Sequence, residues 1–525
     1  MRKIVKENVE ANSYEEDVTI KGWGYRHQQC IVLFCCMTTA YSLRACMGVA
    51  LVAMIVSDGD SEYDIRFNNN TVANNLELNI TTSTENYVYT SVSEEYKIDG
   101  VLSVLLLTNP YPKFNWSKKI QDTILASFFW GYMLLQIPAG QLAHRFGSRY
   151  LLSGALFINC VVSFSLPWAA FYGGWICVLV FRITQGLSQA CIIPGIHTHL
   201  GKWTPLKERS RLSAWAYGGQ ALGPVLGLPI TGFIAASPLG WPGIFRFYGL
   251  LSGLVGCLIW WTIADTPVKH PKISTIERKY IENDLGDTYD SKKPKSVPWS
   301  KILTQRGMYA ICIGHIGQTW GQLTLYSEVP AFMDKVMGVN IKANGLLTAL
   351  PFLAMWFTNF FFSWAADMLI VKNILSVTHT RKLANSVGCI PSAIGLIVLA
   401  FVPKNIVVVE SLLVLICSFK VATHVGVYVN HIDISPNFSG TMMSISNFVS
   451  NLCGSLAPIV AGFILTDVTS EYLWRKVFFI AAGMYFFTNL LYVLLGTGER
   501  AVWNDPPEEI KTIKTPENEP FLTKD

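Results

Sequence analysis

Twelve long apolar runs, separated by blocks of charged residues, constrain this chain more than any other feature of its sequence. Most of them are about 20 residues or longer, the length that an α-helix needs to cross the hydrocarbon core of a bilayer. Only 15% of the 525 residues are charged, against about a quarter in a soluble protein. The runs lie at about 30–56, 120–143, 150–171, 175–200, 212–236, 244–264, 308–333, 344–369, 384–402, 406–430, 440–466 and 474–496. The sequence therefore predicts an all-α membrane protein with twelve transmembrane helices.

A hydrophilic segment divides the predicted spans into two groups of six. We expect an N-terminal half at 30–264, a linker at 265–306 and a C-terminal half at 307–496, with polar tails at 1–29 and 497–525. Lys and Arg are concentrated in the loops after spans 2, 4, 6 and 8, which the positive-inside rule assigns to the cytoplasm. Both tails and the linker are therefore predicted to be cytoplasmic.

The polar segment at 57–119 is predicted to lie on the opposite, extracellular or lumenal side. It carries glycosylation sequons at Asn69, Asn79 and Asn115, and such sites are modified only on that side. None of the twelve cysteines lies in this segment, so a disulfide framework is excluded there.

Composition and motifs also limit the class of function. The net charge of +5 comes from cations at span ends, so it does not indicate a nucleic-acid partner. No nucleophile–base constellation or metal-ligand spacing is present, and the polar segments are too short for a catalytic domain. An enzyme is therefore not expected.

The turn after span 2 carries a basic, glycine-containing motif. It consists of Gly140, His144, Arg145, Gly147 and Arg149. The pattern resembles the signature loop between helices 2 and 3 of the major facilitator superfamily, which usually has Asp where His144 stands. A partial repeat of the motif lies at the end of span 8 and includes Asp367. Internal duplication of this kind is typical of such transporters.

Three longer stretches resemble the anion:cation symporter family of that superfamily. They lie at 182–211, 266–286 and 430–440, and the last contains Asn430, His431 and Asp433. The family includes sodium–phosphate cotransporters, sialin and the vesicular glutamate transporters. The resemblance implies transport of an organic or inorganic anion, driven by sodium, protons or voltage, with two halves that rock about a site near the bilayer midplane.

Two arginines lie well inside predicted spans, away from the span ends, where an ionisable side chain costs at least ~2.5–3.5 kcal/mol. Arg44 lies near the middle of span 1, and Arg182 lies within span 4. Both match positions at which the family keeps membrane-embedded arginines. A guanidinium group offers paired donors to carboxylate or phosphate, so we predict that both contact the substrate anion. The alternative is a structural cation paired with a span-end acid or with backbone carbonyls.

A second group of candidate substrate contacts lies in the C-terminal half. Lys420 and His424 are four residues apart in span 10 and are predicted to share one helix face. The alternative is a snorkelling lysine and a hydrogen-bonded core histidine. In span 7, His315 and Trp320 fit the family pattern, and Tyr326 is a candidate for the cavity lining.

One position departs from the proton-coupled members of the family. They carry Glu in span 4 where this chain has Gln189, and a glutamine cannot bind and release a proton. The phosphate-cotransporter branch resembles this chain in having Gln there. Sodium needs oxygen ligands rather than a titrating acid, although no sodium site can be identified from the sequence.

We therefore expect a sodium-dependent cotransporter of inorganic phosphate in the plasma membrane. The alternative is a proton- or voltage-driven transporter of an organic anion such as sialic acid, glutamate or urate, in a lysosomal or vesicle membrane. An anion channel and a non-transporting sensor are further alternatives. Beyond transported sodium we expect no cofactor. The expected partners are the anion, a coupling cation and the lipid bilayer.

Overall fold

The computed structural model describes residues 22–55, 111, 113–285, 296–325, 332, 336, 341–402, 405–467 and 469–504. These residues are almost entirely helical. The α-helices are α1 Tyr25–Met54, α2 Lys118–Phe146, α3 Ser148–Gln189, α4 Ile192–Trp203, α5 Arg209–Ala236, α6 Gly240–Thr262, α7 Thr275–Leu285, α8 Trp299–Thr304, α9 Arg306–Leu323, α10 Ile341–Val371, α11 Val377–Leu399, α12 Ile406–Lys420, α13 Val429–Ile434, α14 Ser439–Gly454, α15 Leu456–Ile464 and α16 Glu471–Leu495. A π-helical turn, His424–Tyr428, lies between α12 and α13.

Ten stretches of the described residues are long and apolar enough to cross a membrane. One of them, Ser148–Trp203, has 56 residues and covers two predicted spans, because a helix of that length extends about 84 Å against a ~30 Å hydrocarbon core. Its reversal is at Gly174, where φ is 58° and ψ is −157°. The helix of predicted span 7, α9, has 18 residues and is not among the ten. With this split and α9, the described helices are consistent with twelve spans.

In the N-terminal half, α1 packs closely against α5 through three glycines spaced four residues apart. A Cβ atom at Gly223 would lie 2.7 Å from Cβ of Tyr41, and one at Gly227 would lie 2.9 Å from Cα of Ser42. Gly219 similarly faces the backbone of Thr38 at 2.7 Å. Small residues spaced four apart let two helices approach closely, and these three glycines do so here.

The C-terminal half has its own apolar core, formed by α10, α11, α12 and α16. Trp474 and Phe478 of α16 are buried there beside Leu396 of α11 and Ile416 of α12. The aromatic rings of Trp474 and Phe478 lie 6.1 Å apart. Each half is therefore a packed unit.

The linker contains a helix, α7, that is attached to both ends of the described chain. Oε2 of Glu277 accepts a hydrogen bond from the backbone N–H of Tyr25 at 3.1 Å, and Oε1 accepts one from Arg26 at 3.1 Å. Arg500 Nη1 donates to the carbonyl of Leu285 at 2.9 Å. The cap from Glu277 explains why α1 begins at Tyr25, before the apolar run that starts at Cys30. We call the end of the bundle that carries α7 the linker side.

Candidate functional site

Arg44 lies among three aromatic rings in the middle of the N-terminal half. Its guanidinium carbon is 4.7 Å from the ring centroid of Tyr41 and 4.9 Å from those of Phe128 and Tyr132. The side chain is half-buried, and its Nε has no hydrogen-bond partner. Aromatic faces attract a cation without occupying its N–H donors, so Nε of Arg44 stays available to an anion.

Arg182 lies on the same aromatic ring as Arg44. Its guanidinium carbon is 4.9 Å from the centroid of Phe128, and the residue is only 3% exposed. Its Nη1 donates to Oε1 of Gln185 at 2.8 Å, and Gln185 in turn donates to Ser163 at 2.8 Å. In the described part of the chain, neither Arg44 nor Arg182 has an acidic partner. The structure therefore brings the two predicted arginines together around Phe128 with two uncompensated positive charges.

A hydrogen bond joins this aromatic cluster to the other half. Asn447 Nδ2, in α14, donates to the hydroxyl of Tyr132 at 2.8 Å. Tyr132 therefore contacts both Arg44 and the C-terminal half. The sequence analysis did not identify Tyr41, Phe128, Tyr132 or Asn447. The available signal was the spacing of Phe128 and Tyr132, which puts two aromatic rings on one face of α2.

Lys420 and His424 have different neighbours, although they are close in sequence. The ammonium of Lys420 contacts the side-chain oxygen of Gln322 in α9. Helix α12 ends at Lys420, and His424 opens the π-helical turn. Its ring lies 5.0 Å from that of Tyr428 and 6.2 Å from that of Tyr217 in α5. Only His424 of the two therefore approaches the N-terminal half through these contacts.

The three candidate residues of span 7 do not lie together in one described site. The ring of His315 lies 4.4 Å from Tyr428 and 5.0 Å from His431, so it belongs to the seam between the halves. Trp320 is half-buried and packs against the apolar core of the C-terminal half. Tyr326 lies outside the described residues.

Ion pairs close the linker side between the halves. Asp433 accepts from Arg209 Nη1 at 2.8 Å and from Arg381 Nε at 2.6 Å. Asp367 accepts from the backbone N–H groups of Ser210 and Arg211 at 3.0 and 2.8 Å, and so caps α5. We call Arg209, Arg211, Asp367, Arg381 and Asp433 the linker-side gate. Asp367 and Asp433 were identified from the sequence, whereas the basic residues that pair with them in the gate were not.

The signature loop contacts both halves. Gly147 has φ 85° and ψ 169°, and the carboxylate of Asp265 occupies the place of a Cβ, with Cγ 2.6 Å away. Asp265 accepts from the N–H of Arg149 at 2.9 Å, which caps α3. The ring of His144 lies 5.1 Å from Phe438 of the other half. Where the family pattern expects Asp, this chain therefore has a ring contact.

The remaining motif residues have different surroundings. A Cβ atom added at Gly140 would lie 3.1 Å from Cα of Thr441 in α14. Arg145 is exposed, and Asn430 Nδ2 donates a hydrogen bond to the hydroxyl of Tyr492 at 3.0 Å. Gln189 is buried, and neither atom of its amide has a hydrogen-bond partner.

No group of three or more His, Cys, Asp or Glu residues converges on a metal-sized site within the described ranges. Asn115 is exposed just before α2, whereas Asn69 and Asn79 lie outside the described residues.

Comparison with known proteins gives consistent matches. Residues 33–458 match the family description "Major Facilitator Superfamily". A protein of Drosophila ananassae named "Putative inorganic phosphate cotransporter" is 34% identical over 91% of this chain and 94% of its own length. Human "Vesicular glutamate transporter 2" is 34% identical over 75% of this chain and 68% of its own length.

A solved structure shares the fold. The proton:xylose symporter XylE superposes with a TM-score of 0.64 at 14% identity, covering 90% of this chain and 97% of XylE. At that identity the likeness concerns the fold alone.

Proposed function

The chain belongs to the major facilitator superfamily and, within it, to the anion:cation symporter group, and on that premise we propose that it carries a small anion across a membrane by alternating access. The observation that supports this most strongly is that two guanidinium groups lie around Phe128 and have no acidic partner among the described residues. Buried charges are ordinarily paired with an opposite charge. Two cations that share one ring and lack a described acid beside them are suited to receive a negatively charged substrate.

The link from this site to the other half supports a coupled mechanism. Tyr132 touches Arg44 and is hydrogen-bonded to Asn447 of α14. An anion that draws Arg44 from its aromatic neighbours would therefore act on a contact that bridges the halves. The linker-side gate is closed here, so the site would open toward the linker side only after the ion pairs of Asp433 separate.

Inorganic phosphate is the substrate we propose first. The name of the Drosophila relative supports it, and phosphate offers the tetrahedral oxygens that paired guanidinium donors bind well. Lys420 would add positive charge from the C-terminal half, and His424 would offer an Nδ1 that has no hydrogen-bond partner. An organic anion is the second candidate, because the vesicular glutamate transporter is equally similar over a shorter part of the chain and because arginine binds carboxylates by the same geometry.

Sodium is the coupling cation we propose. Gln189 occupies the position of the acid in proton-coupled members, and an amide does not titrate. We place the linker side in the cytoplasm, because Lys and Arg are concentrated in the loops that join the spans there. On this orientation Asn115 lies outside or in a lumen, in a plasma membrane or, alternatively, a lysosomal or vesicle membrane.

Uptake into proteoliposomes under separately imposed gradients tests the substrate and the cation together. We expect labelled phosphate to accumulate saturably under an inward sodium gradient. Without sodium, the phosphate concentration inside the proteoliposomes should reach only the equilibrium level. A proton gradient or a membrane voltage alone is expected to give no accumulation. Glutamate, urate and sialic acid serve as competitors.

Two other outcomes would redirect the assignment. Accumulation of one of the competitors under voltage or a proton gradient, with no phosphate uptake, would move the protein to the organic-anion branch. Anion flux that does not saturate and needs no gradient of a second ion would indicate a channel.

A further inference from the structure

Three histidines meet at the seam between the halves. They are His197 of α4, His315 of α9 and His431 of α13. The ring centroids of His197 and His431 lie 5.2 Å apart, and those of His315 and His431 lie 5.0 Å apart. We call these residues the histidine cluster. One ring comes from the N-terminal half and two come from the C-terminal half, so the cluster exists only while the halves are together.

The hydrogen bonding of the cluster is incomplete. His431 is satisfied, since its Nδ1 faces the carbonyl of Tyr428 at 3.1 Å and its Nε2 faces Ser446 Oγ at 2.8 Å. By contrast, both ring nitrogens of His197 and the Nε2 of His315 are buried without a partner. The exposed fractions of these two residues are 0% and 1%. A buried polar group without a partner costs roughly 1–3 kcal/mol, so the closed arrangement leaves these imidazoles unsatisfied.

The surroundings of the cluster do not favour a positive charge. The ionisable side chains that face it are Tyr217 of α5, Tyr428 and His424 of the π-helical turn, and Asp433 of α13. Asp433 is already engaged by Arg209 and Arg381. In the described part of the chain no free carboxylate compensates an imidazolium, and burial removes the water that would stabilise it. A positive charge on these imidazoles is therefore unfavourable while the seam is closed.

The cluster lies directly beneath the linker-side gate. His431 is two residues from Asp433 in α13, and the carbonyl of His197 accepts a hydrogen bond from Ser439 Oγ of the other half at 2.9 Å. Separation of the gate therefore also separates His197 from His431 and admits water to both. Water satisfies the unpaired ring nitrogens and stabilises the charged form of an imidazole.

We propose that the histidine cluster is a proton-binding site that takes up its proton when the halves part on the linker side. A ligand that binds one of two conformations better shifts the population toward that conformation. Acidification on the linker side is thus expected to favour the open form, and alkaline conditions to favour the closed form described here. The site uses imidazoles on facing halves rather than a carboxylate within one half. It does not depend on the identity of the transported anion or on sodium.

The distance between the halves on the linker side, measured without substrate, tests the proposal. Spin-label amino acids are placed at two exposed positions, Lys269 at the start of the linker next to the N-terminal half and Lys372 in the C-terminal half, and leave the native cysteines unchanged. Distance distributions of the full chain in lipid nanodiscs are compared between about pH 8 and pH 6. We expect the ratio of open to closed molecules to rise with falling pH, by up to about tenfold per pH unit for each linked proton.

Variants identify which groups bind the proton. We expect His197→Gln and His315→Gln to flatten this pH response. His199→Gln is the matched control. His199 is buried in the same helix, but its contacts with Ser148 at 2.9 Å and with the ring of Trp203 at 5.7 Å lie within its own half. The response of this variant should equal that of the unmodified protein. The proposal is overturned if the unmodified protein shows no change with pH, or if both cluster variants keep the full response. Because no anion is present, either result is independent of the transport assay.

Discussion

Three carboxylates stabilise helix N-termini at the linker side, and each does so from a distant part of the chain. Glu277 caps α1, Asp265 caps α3 and Asp367 caps α5. A negative charge at this end of a helix satisfies free N–H groups and interacts favourably with the helix dipole. Because Asp367 belongs to one half and α5 to the other, its cap also holds the halves together.

The cap at α3 depends on a glycine, which gives a prediction for Gly147→Ala. The φ and ψ angles of Gly147 lie in a region that other residues adopt only at a cost of about 1–3 kcal/mol, and a Cβ would meet the carboxylate of Asp265. We expect the thermal unfolding midpoint of the purified protein in detergent to fall by several degrees. Gly154→Ala is the control, because a Cβ there meets nothing within 4 Å. Equal midpoints for both variants would contradict this role for Gly147.

At the residue scale, the two arginines of the candidate site could be identified from the sequence, but the residues that surround them could not. The high cost of charge in a membrane singled out Arg44 and Arg182 without any knowledge of the fold. Tyr132 and Asn447 carry no such signal, since a tyrosine or asparagine in a span is common and their hydrogen bond joins α2 to α14. That pairing depends on how two separate helices pack, which local sequence does not specify.

At the scale of elements, the linker-side gate combines strong and weak interactions. Asp433 and Arg381 are both almost fully buried, with side chains 1% exposed, whereas the guanidinium of Arg211 is largely exposed. A solvent-exposed pair contributes little, while removal of one member of a buried pair is costly because it leaves an uncompensated charge. The pairs of Asp433 are therefore the ones that hold the gate.

Asp433→Asn is expected to release the gate. Arg209 and Arg381 would lose their shared carboxylate and would be better hydrated if the halves separated. The spin labels at Lys269 and Lys372 should report a several-fold larger open population than in the unmodified protein at the same pH. Glu282→Gln, which breaks the exposed i,i+4 pair with Arg278 in α7, should leave the distribution unchanged. An unchanged distribution for Asp433→Asn would show that other contacts hold this side closed.

Some elements were not predictable from apolar periodicity. Helix α12 ends at Lys420, and the π-helical turn begins at His424, so these two residues four apart do not share neighbours as regular helix geometry predicts. Helix α7 was also missed, because a short polar helix gives no membrane signal. It is held by Glu277 and by a small apolar cluster that includes Ile281 and Leu285.

For the whole molecule, the bilayer itself makes the architecture predictable. Each crossing needs about 20 apolar residues, so run lengths alone indicated the spans and the six-plus-six division. The conformation of the molecule does not follow from the run lengths. Which side is closed depends on pairings such as that of Arg209 with Asp433, and these residues are far apart in sequence.

Arg44 is proposed to bind the transported anion, and initial-rate uptake by Arg44→Ala in proteoliposomes tests that role. A charge-assisted hydrogen bond contributes about 1.5–3 kcal/mol, so we expect saturable uptake of the anion identified by the gradient assay to fall at least about tenfold, with partial recovery in Arg44→Lys. Arg246→Ala is the matched control, a buried arginine over Trp168 outside the site, and should retain uptake. Undiminished uptake by Arg44→Ala, at equal protein content, would contradict the account.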